Sequence, residues 1–211
     1  MNRFLQALFL AISVGIIGGI LLYRPRPPTL SEQATALLGP VPLSGPAKAA
    51  TFLNRAGERV TLESLRGKAV LVVFWATWCA PCKDELPHLA VLAQALAGKP
   101  LTLVWVSVDK QWQALDELAQ AFVEMGDGPQ GKSALAVAAM LRGGSPLVRC
   151  LLDPTEKSAT DFGTSKFPES YLIGPAGELR AKFVGPKEWS HPAVLAWLEE
   201  QTRASPGADK P

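Results

Sequence analysis

The stretch FWATWCAPCKDELP, residues 74–87, decides the fold. It grows out of AVLVVFWAT (Ala69–Thr77), a continuous apolar and β-branched run. A central strand buried on both faces requires such a run. Helical periodicity follows from Pro81 to Ala97 and closes at Gly98. LTLVWVSVD (Leu101–Asp109) reads as a second buried strand. Strand, helix and strand in that order predict a right-handed βαβ unit with parallel pairing.

The flanking sequence supplies the rest of an α/β layout. A strand pair is expected around Ala56-Gly57, then a helical turn before Gly67. Helices are expected over Trp112–Met125 and Ser133–Arg142, a strand over Pro146–Asp153, and a short helix over Thr155–Phe162. ESYLIG and LRAKFVG, either side of Pro175-Ala176-Gly177, predict a hairpin. Ser190 is placed to cap a last helix running to Gln201, with Pro192 tolerated in its first turn.

Cys79 and Cys82 sit where the buried strand gives way to the helix. Unpaired N–H groups and the helix macrodipole favour negative charge there, which marks Cys79 as a stabilised thiolate and the attacking sulfur. Residues i and i+3 of a helix hold their Cβ atoms roughly 5–6 Å apart, so a small adjustment brings Cys82 within disulfide reach. Pro81 in a first turn sacrifices no helical hydrogen bond. Zinc is the competing use, but a structural zinc site takes four ligands. Only Cys150, His88 and His191 remain to supply them, without a second x-x spacing. A permanent disulfide closing so small a loop would stabilise little. The residues therefore favour dithiol–disulfide cycling.

FWATWCAPCKDELP, preceded by LRGKAVLVV and followed downstream by KFPESYLIGPAGEL, resembles the membrane-anchored thioredoxin-like family of TlpA, ResA and the cytochrome c biogenesis protein CcmG (DsbE). The resemblance covers roughly Ala49 to Gln201. It implies a thioredoxin-like α/β fold, with a central mixed sheet flanked by helices and an N-terminal transmembrane helix. The segment Lys110–Ser145, longer than most family members need between these strands, reads as a helical insertion. It further implies a thiol–disulfide oxidoreductase on the extracytoplasmic side of a bacterial inner membrane, with Cys79 as nucleophile and Cys82 as resolving thiol. Trp78 would shape access to the sulfur. Pro168 matches the family's cis-proline facing the cysteines, leaving the backbone of Phe167 free to pair with a substrate strand.

Val73 occupies the position where ordinary thioredoxins keep a buried aspartate. The family resembled here often places a glutamate three residues after the second cysteine, and Glu85 stands there. On the same helical face as Cys82, it is the candidate proton carrier; the competing reading is a solvent-facing helix residue. Glu169, just after Pro168, points weakly to the cytochrome-biogenesis branch. The implied substrate is an exported protein with a disulfide, such as an apocytochrome c or the copper-site subunit of cytochrome oxidase. The implied electron source is a membrane donor of the DsbD or CcdA type. No cofactor and no metal are expected. The rival class is a copper chaperone on the same fold, binding metal through the cysteine pair. Such chaperones usually space the cysteines one residue wider and add a distal histidine, and neither feature is present near CAPC or Pro168.

The remaining segments set the boundaries. Residues 4–23 (FLQALFLAISVGIIGGILLY) carry no charge and at ~1.5 Å per residue reach across a bilayer core. Residues 1–23 are thus an expected anchor, with a signal sequence as alternative. Arg3 on one side and Arg24 and Arg26 on the other leave the positive-inside rule nearly tied, so orientation rests on the resemblance. Residues 24–48, with Pro25, Pro27, Pro28, Pro40, Pro42 and Pro46, read as an extended tether, with a weak helix over Thr29–Leu38. Residues 49–202 form the thioredoxin-like domain and 203–211 a flexible tail. A net charge of +2, from 21 basic and 19 acidic side chains, argues against a nucleic-acid surface. GDGPQGKS (Gly126–Ser133) satisfies the phosphate-loop pattern, but a helix rather than the required strand is expected before it. Cys150 is expected to be buried and inert, His88 to lie on a helix surface and His191 to be structural.

Overall fold

Every residue of the strand Ala69–Trp75 is buried. Successive side chains of a strand face opposite ways, so both faces of the sheet are covered at this point. The computed structural model describes residues 26–127 and 131–202, together with Asn2. The expected anchor, the flexible tail and residues 128–130 of GDGPQGKS lie outside the described residues.

In chain order the strands are β1 (Val41–Pro42), β2 (Thr51–Leu53), β3 (Arg59–Thr61), β4 (Ala69–Trp75), β5 (Leu101–Ser107), β6 (Val148–Leu152), β7 (Glu169–Ile173) and β8 (Leu179–Val184). The described helices are α1 (Leu30–Leu38), α2 (Ala80–Ala95), α3 (Trp112–Glu124), α4 (Gly131–Leu141), α5 (Lys157–Asp161) and α6 (Pro192–Thr202). One mixed sheet runs β1-β8-β7-β4-β5-β6-β2-β3. The β4–α2–β5 unit has the expected parallel pairing, with Ala69 opposite Leu101 and Trp75 opposite Ser107. β6 extends it in parallel, while β7 and β8 add antiparallel strands on the other side of β4. That arrangement delivers the start of α2 and the start of β7 to the same end of the sheet, because Phe74 is opposite Glu169.

The helix expected over Thr29–Leu38 is present as α1, but residues 30–47 are packed on the domain and not an extended tether. Thr29 and Glu32 form a reciprocal capping box at the start of α1, and Gly39 closes the helix at φ 53°. Ala34 and Leu38 are fully buried, and α1 packs on α6. Beyond it, β1 pairs with β8, and the N–H groups of Leu43 and Ala47 donate to the carbonyls of Arg180 (3.1 Å) and Gly177 (2.8 Å). Pro42 lies in this edge strand, where a missing N–H is harmless, and Pro46 bridges Glu178. The long connection between β5 and β6 folds as α3 and α4 packed on each other, with α4 also against α2. Arg55 ties it to the β2–β3 turn, donating to Asp116 at 2.7 Å and to the Leu141 carbonyl at 2.7 Å, with its guanidinium 4.6 Å from the centre of the Trp112 ring.

Two further expectations are decided at the C-terminal end. Ser190 does not cap α6: its hydroxyl pairs with His88 Nδ1 at 2.8 Å. The cap is His191, whose Nδ1 accepts from the Ala193 N–H at 3.2 Å. Cys150 is buried in β6 and unpaired, and burial pushes its thiol up to about 12.

Candidate active site

Cys79 occupies the N-cap of α2 in an extended conformation, so its sulfur lies over the first turn and accepts from the Cys82 N–H at 3.3 Å. Pro81 falls within that turn, where its missing N–H costs nothing. The two cysteines are joined in a disulfide. Cys79 is the more accessible, 7% exposed against 1% for Cys82. A sulfur at a helix N-terminus is stabilised as thiolate once reduced.

The turn leading into Cys79 is held by a residue that sequence reasoning missed. The buried Asp109 carboxylate accepts from the Thr77 N–H (2.9 Å), the Thr77 hydroxyl (2.8 Å) and the Ser107 hydroxyl (2.5 Å). The only signal was a pair of polar residues, Ser107 and Asp109, closing the mostly apolar run Leu101–Asp109. In parallel register Ser107 faces Trp75, which brings that end of β5 beside the cysteine turn.

Phe167 and Pro168 come to the same place from the other side. Their peptide bond is cis. The Phe167 ring meets Trp78 edge-on, 5.7 Å between centroids at 78°. Trp78 itself is 65% exposed, so this pair forms an apolar rim next to the disulfide. Neither the N–H nor the C=O of Phe167 has a hydrogen-bond partner among the described residues. An extended chain passing Cys79 would find both groups open.

Glu85 does not face solvent. It is 2% exposed on α2, and its Oε1 accepts from the Trp189 indole N–H (2.5 Å) and the Lys187 backbone N–H (2.9 Å). Burial raises its carboxyl to about 7, against the pull of those two donors and the Lys187 charge. Oε2 has no hydrogen-bond partner among the described residues. The partners from the β8–α6 connection were not foreseen. Val73 is fully buried between Trp105 and Ser170 in the sheet, so the position of the thioredoxin aspartate is apolar. Glu169 is also buried, paired with Lys182 at 2.7 Å.

Among the described residues no three His, Cys, Asp or Glu side chains are grouped so as to hold a metal ion. GDGPQGKS is preceded by α3 in place of a strand, and its first two residues, Gly126 and Asp127, belong to a short 3-10 turn, Met125–Asp127.

Comparison with known proteins follows the same lines. The chain matches the AhpC/TSA family over residues 44–182, a span holding both cysteines, Glu85 and Pro168. It belongs to the AhpC/TSA family. Within that family its relatives are thiol–disulfide proteins, as the resemblance of the motif implied. The thiol:disulfide interchange protein HelX of Rhodobacter capsulatus is 32% identical over 57% of this chain and 54% of its own length. The thiol-disulfide oxidoreductase ResA of Bacillus subtilis is 27% identical over 58% of this chain and 56% of its own. The chain thus spans little more than half the length of these relatives. It spans more of others: the thiol:disulfide interchange protein DsbE of Pseudomonas aeruginosa is 28% identical over 95% of this chain and 97% of its own length. Among solved structures, the thioredoxin domain of a thiol-disulfide oxidoreductase from Bacteroides vulgatus superposes with a TM-score of 0.53 at 22% identity, covering 75% of this chain and 96% of that one. The fold of this AhpC/TSA member is thioredoxin-like.

Proposed function

We propose that the chain is a membrane-tethered thiol–disulfide oxidoreductase that reduces disulfides in exported proteins. The observation that carries the reading is the Cys79–Cys82 disulfide at the N-terminus of α2, beside the open backbone of Phe167 and the exposed Trp78.

In the reduced chain, the Cys79 thiolate attacks one sulfur of a substrate disulfide. A mixed disulfide forms and the other substrate sulfur leaves as a thiolate, taking up a proton. Cys82 then gives up its proton and attacks Cys79 Sγ, releasing the second substrate sulfur. Two electrons pass to the substrate, and the Cys79–Cys82 disulfide remains. The structure corresponds to this oxidised state. Glu85, buried and half-ionised near neutral pH, takes the Cys82 proton directly or through water. Trp78 and Phe167 offer an apolar rim for the substrate, and Pro168 presents the backbone of Phe167 to it.

Returning the dithiol requires two electrons from outside, supplied in this reading by a membrane donor of the DsbD or CcdA type. Residues 1–23 anchor the chain in the inner membrane, with the folded unit, residues 30–202, on the extracytoplasmic side. The similarity to the thiol:disulfide interchange proteins HelX and DsbE and the thiol-disulfide oxidoreductase ResA supports this class of chemistry. Apocytochrome c haem-attachment cysteines and the copper-site cysteines of cytochrome oxidase are the substrate classes it suits. The reading is tested by reducing the full chain, removing the reductant, mixing it with a disulfide-bonded peptide, and counting thiols on the separated chain and peptide. One peptide disulfide should be lost per chain oxidised, and Cys79→Ser should abolish the transfer; a Cys79→Ser chain as active as the wild type would end the proposal.

A further inference from the structure

The loop between α5 and β7, which carries Phe167 and Pro168, is tied at both ends by one side chain from β8. The Lys182 ammonium lies 2.7 Å from the Glu169 carboxylate and donates to the Gly163 carbonyl at 3.0 Å. Glu169 follows Pro168 directly, and Gly163 opens the loop in a left-handed conformation at φ 77°. The same ammonium sits 5.4 Å from the centre of the Tyr171 ring. The Tyr171 hydroxyl in turn pairs with the Thr164 hydroxyl (3.1 Å) and donates to Glu169 Oε2 (3.3 Å). Register explains the convergence: Tyr171 is directly opposite Lys182, and Glu169 lies two residues along on the same face of the ladder.

Between these ties the loop has little else to fix it. Ser165 and Lys166 are exposed, and the N–H groups of Ser165, Lys166 and Phe167 make no hydrogen bond among the described residues. Lys182 is only 18% exposed at the side chain and Glu169 1%, so neither charge is free to relax into water. Burial pulls the Lys182 ammonium down, yet the Glu169 carboxylate and the Tyr171 hydroxyl hold it above the usual lysine value.

We propose that Lys182 is a positioning residue for the substrate-facing loop, setting how a peptide strand docks on Phe167 rather than how the sulfurs react. Holding the Gly163 carbonyl and the Glu169 carboxylate on one ammonium fixes both ends of the segment whose centre must meet an incoming backbone. The inference rests on the dithiol–disulfide reading and deepens it. It assigns the loop's geometry to a charge in β8 whose partners are Glu169 and Gly163 and neither cysteine.

The test compares the full wild-type chain with Lys182→Met, Lys182→Arg and Glu169→Gln, each reduced with dithiothreitol and then freed of it by gel filtration, so that the chain is the sole reductant. KM and kcat are read as the half-saturating concentration and limiting rate of single turnovers. Two substrates are used: an extended peptide with one disulfide, and the small aromatic disulfide 5,5′-dithiobis(2-nitrobenzoate), which needs no strand pairing. Lys182→Met should raise KM for the peptide about tenfold with kcat within about twofold, and leave the small disulfide within about twofold. Lys182→Arg, which keeps the charge, should recover most of the loss. A peptide KM unchanged in Lys182→Met, or rates on both substrates falling together in a folded variant, would overturn the inference. If Lys182→Met does not fold, Glu169→Gln keeps shape and acceptor while removing the paired charge; it should raise the peptide KM at least about threefold, and no rise counts against the role. A wild-type chain inert toward both disulfides would overturn the redox reading itself, and this inference with it.

Discussion

Trp189 donates its indole N–H to the Glu85 carboxylate at 2.5 Å, joining the active-site helix to the β8–α6 connection across 104 residues of sequence. With the Lys187 N–H on the same oxygen, a carboxyl is held inside the protein within one turn of Cys82. Burial outweighs both donors and sets it to ionise near pH 7. A buried acid poised there can accept a proton at neutral pH and give it back, which an ordinary surface glutamate cannot.

That poise has a thermodynamic signature. The folded value of about 7 lies above the ordinary 4.5, so the native state binds the extra proton in between. The stabilisation is therefore full at low pH and is lost as pH rises through about 7. Between pH 5 and pH 8.5 the wild type should lose roughly 2–3 kcal/mol that Glu85→Gln does not, at about 1.4 kcal/mol per unit. Urea denaturation of the oxidised chain at the two pH values measures it. Identical pH dependence in the two proteins would refute the assignment.

The kinetic signature belongs to a different step. If Glu85 takes the Cys82 proton, Glu85→Gln should slow resolution of the Cys79 mixed disulfide by about 10²-fold at pH 7 and remove the inflection near that pH. Attack by Cys79 should change much less. Stopped-flow measurement of the two phases with a fluorescent peptide disulfide separates them; a slowed first phase with a normal second would point to thiolate stabilisation instead.

The order of the two sulfurs also has a direct readout. Cys79, at the N-cap and the more exposed, should be the sulfur joined to the substrate. Cys82→Ser should then accumulate a mixed disulfide with an exported protein in the native host, recoverable by affinity purification and identified by mass spectrometry. Cys79→Ser should accumulate none. Partners trapped equally on Cys82 would reverse the assignment.

How much of this was legible depended on the range of the interaction. β4, α2 and β5 were readable because each carries its own period: unbroken apolar residues for a doubly covered strand, and i, i+3, i+4 spacing for the helix. The cysteines were readable because their neighbours alone place them at a helix start. Glu85 was placed correctly as to its helix, but its burial was not visible, since Trp189 and Lys187 lie far along the chain. Asp109 was hidden for a similar reason: its partner Thr77 belongs to another element. The tether was misread because proline content signals extension only where nothing offers an edge or a groove. Here β8 offers one to β1, and α6 offers the other to α1.

Residues 30–47 are therefore expected to contribute to stability and not merely to distance. Leu38 is fully buried at the end of α1, against α6, with Ala34 one turn before it. If the segment were a spacer, Leu38→Ala would be neutral. As part of the core it should cost roughly 2–4 kcal/mol, the transfer term plus the cavity left behind. Thr29→Ala, which removes the hydroxyl that accepts the Glu32 N–H at 3.2 Å, should cost about 1 kcal/mol on top. Both are read from the midpoint of urea unfolding at fixed pH. A Leu38→Ala chain with an unchanged midpoint would return α1 to the linker, and would place the edge of the folded unit at β1 or beyond.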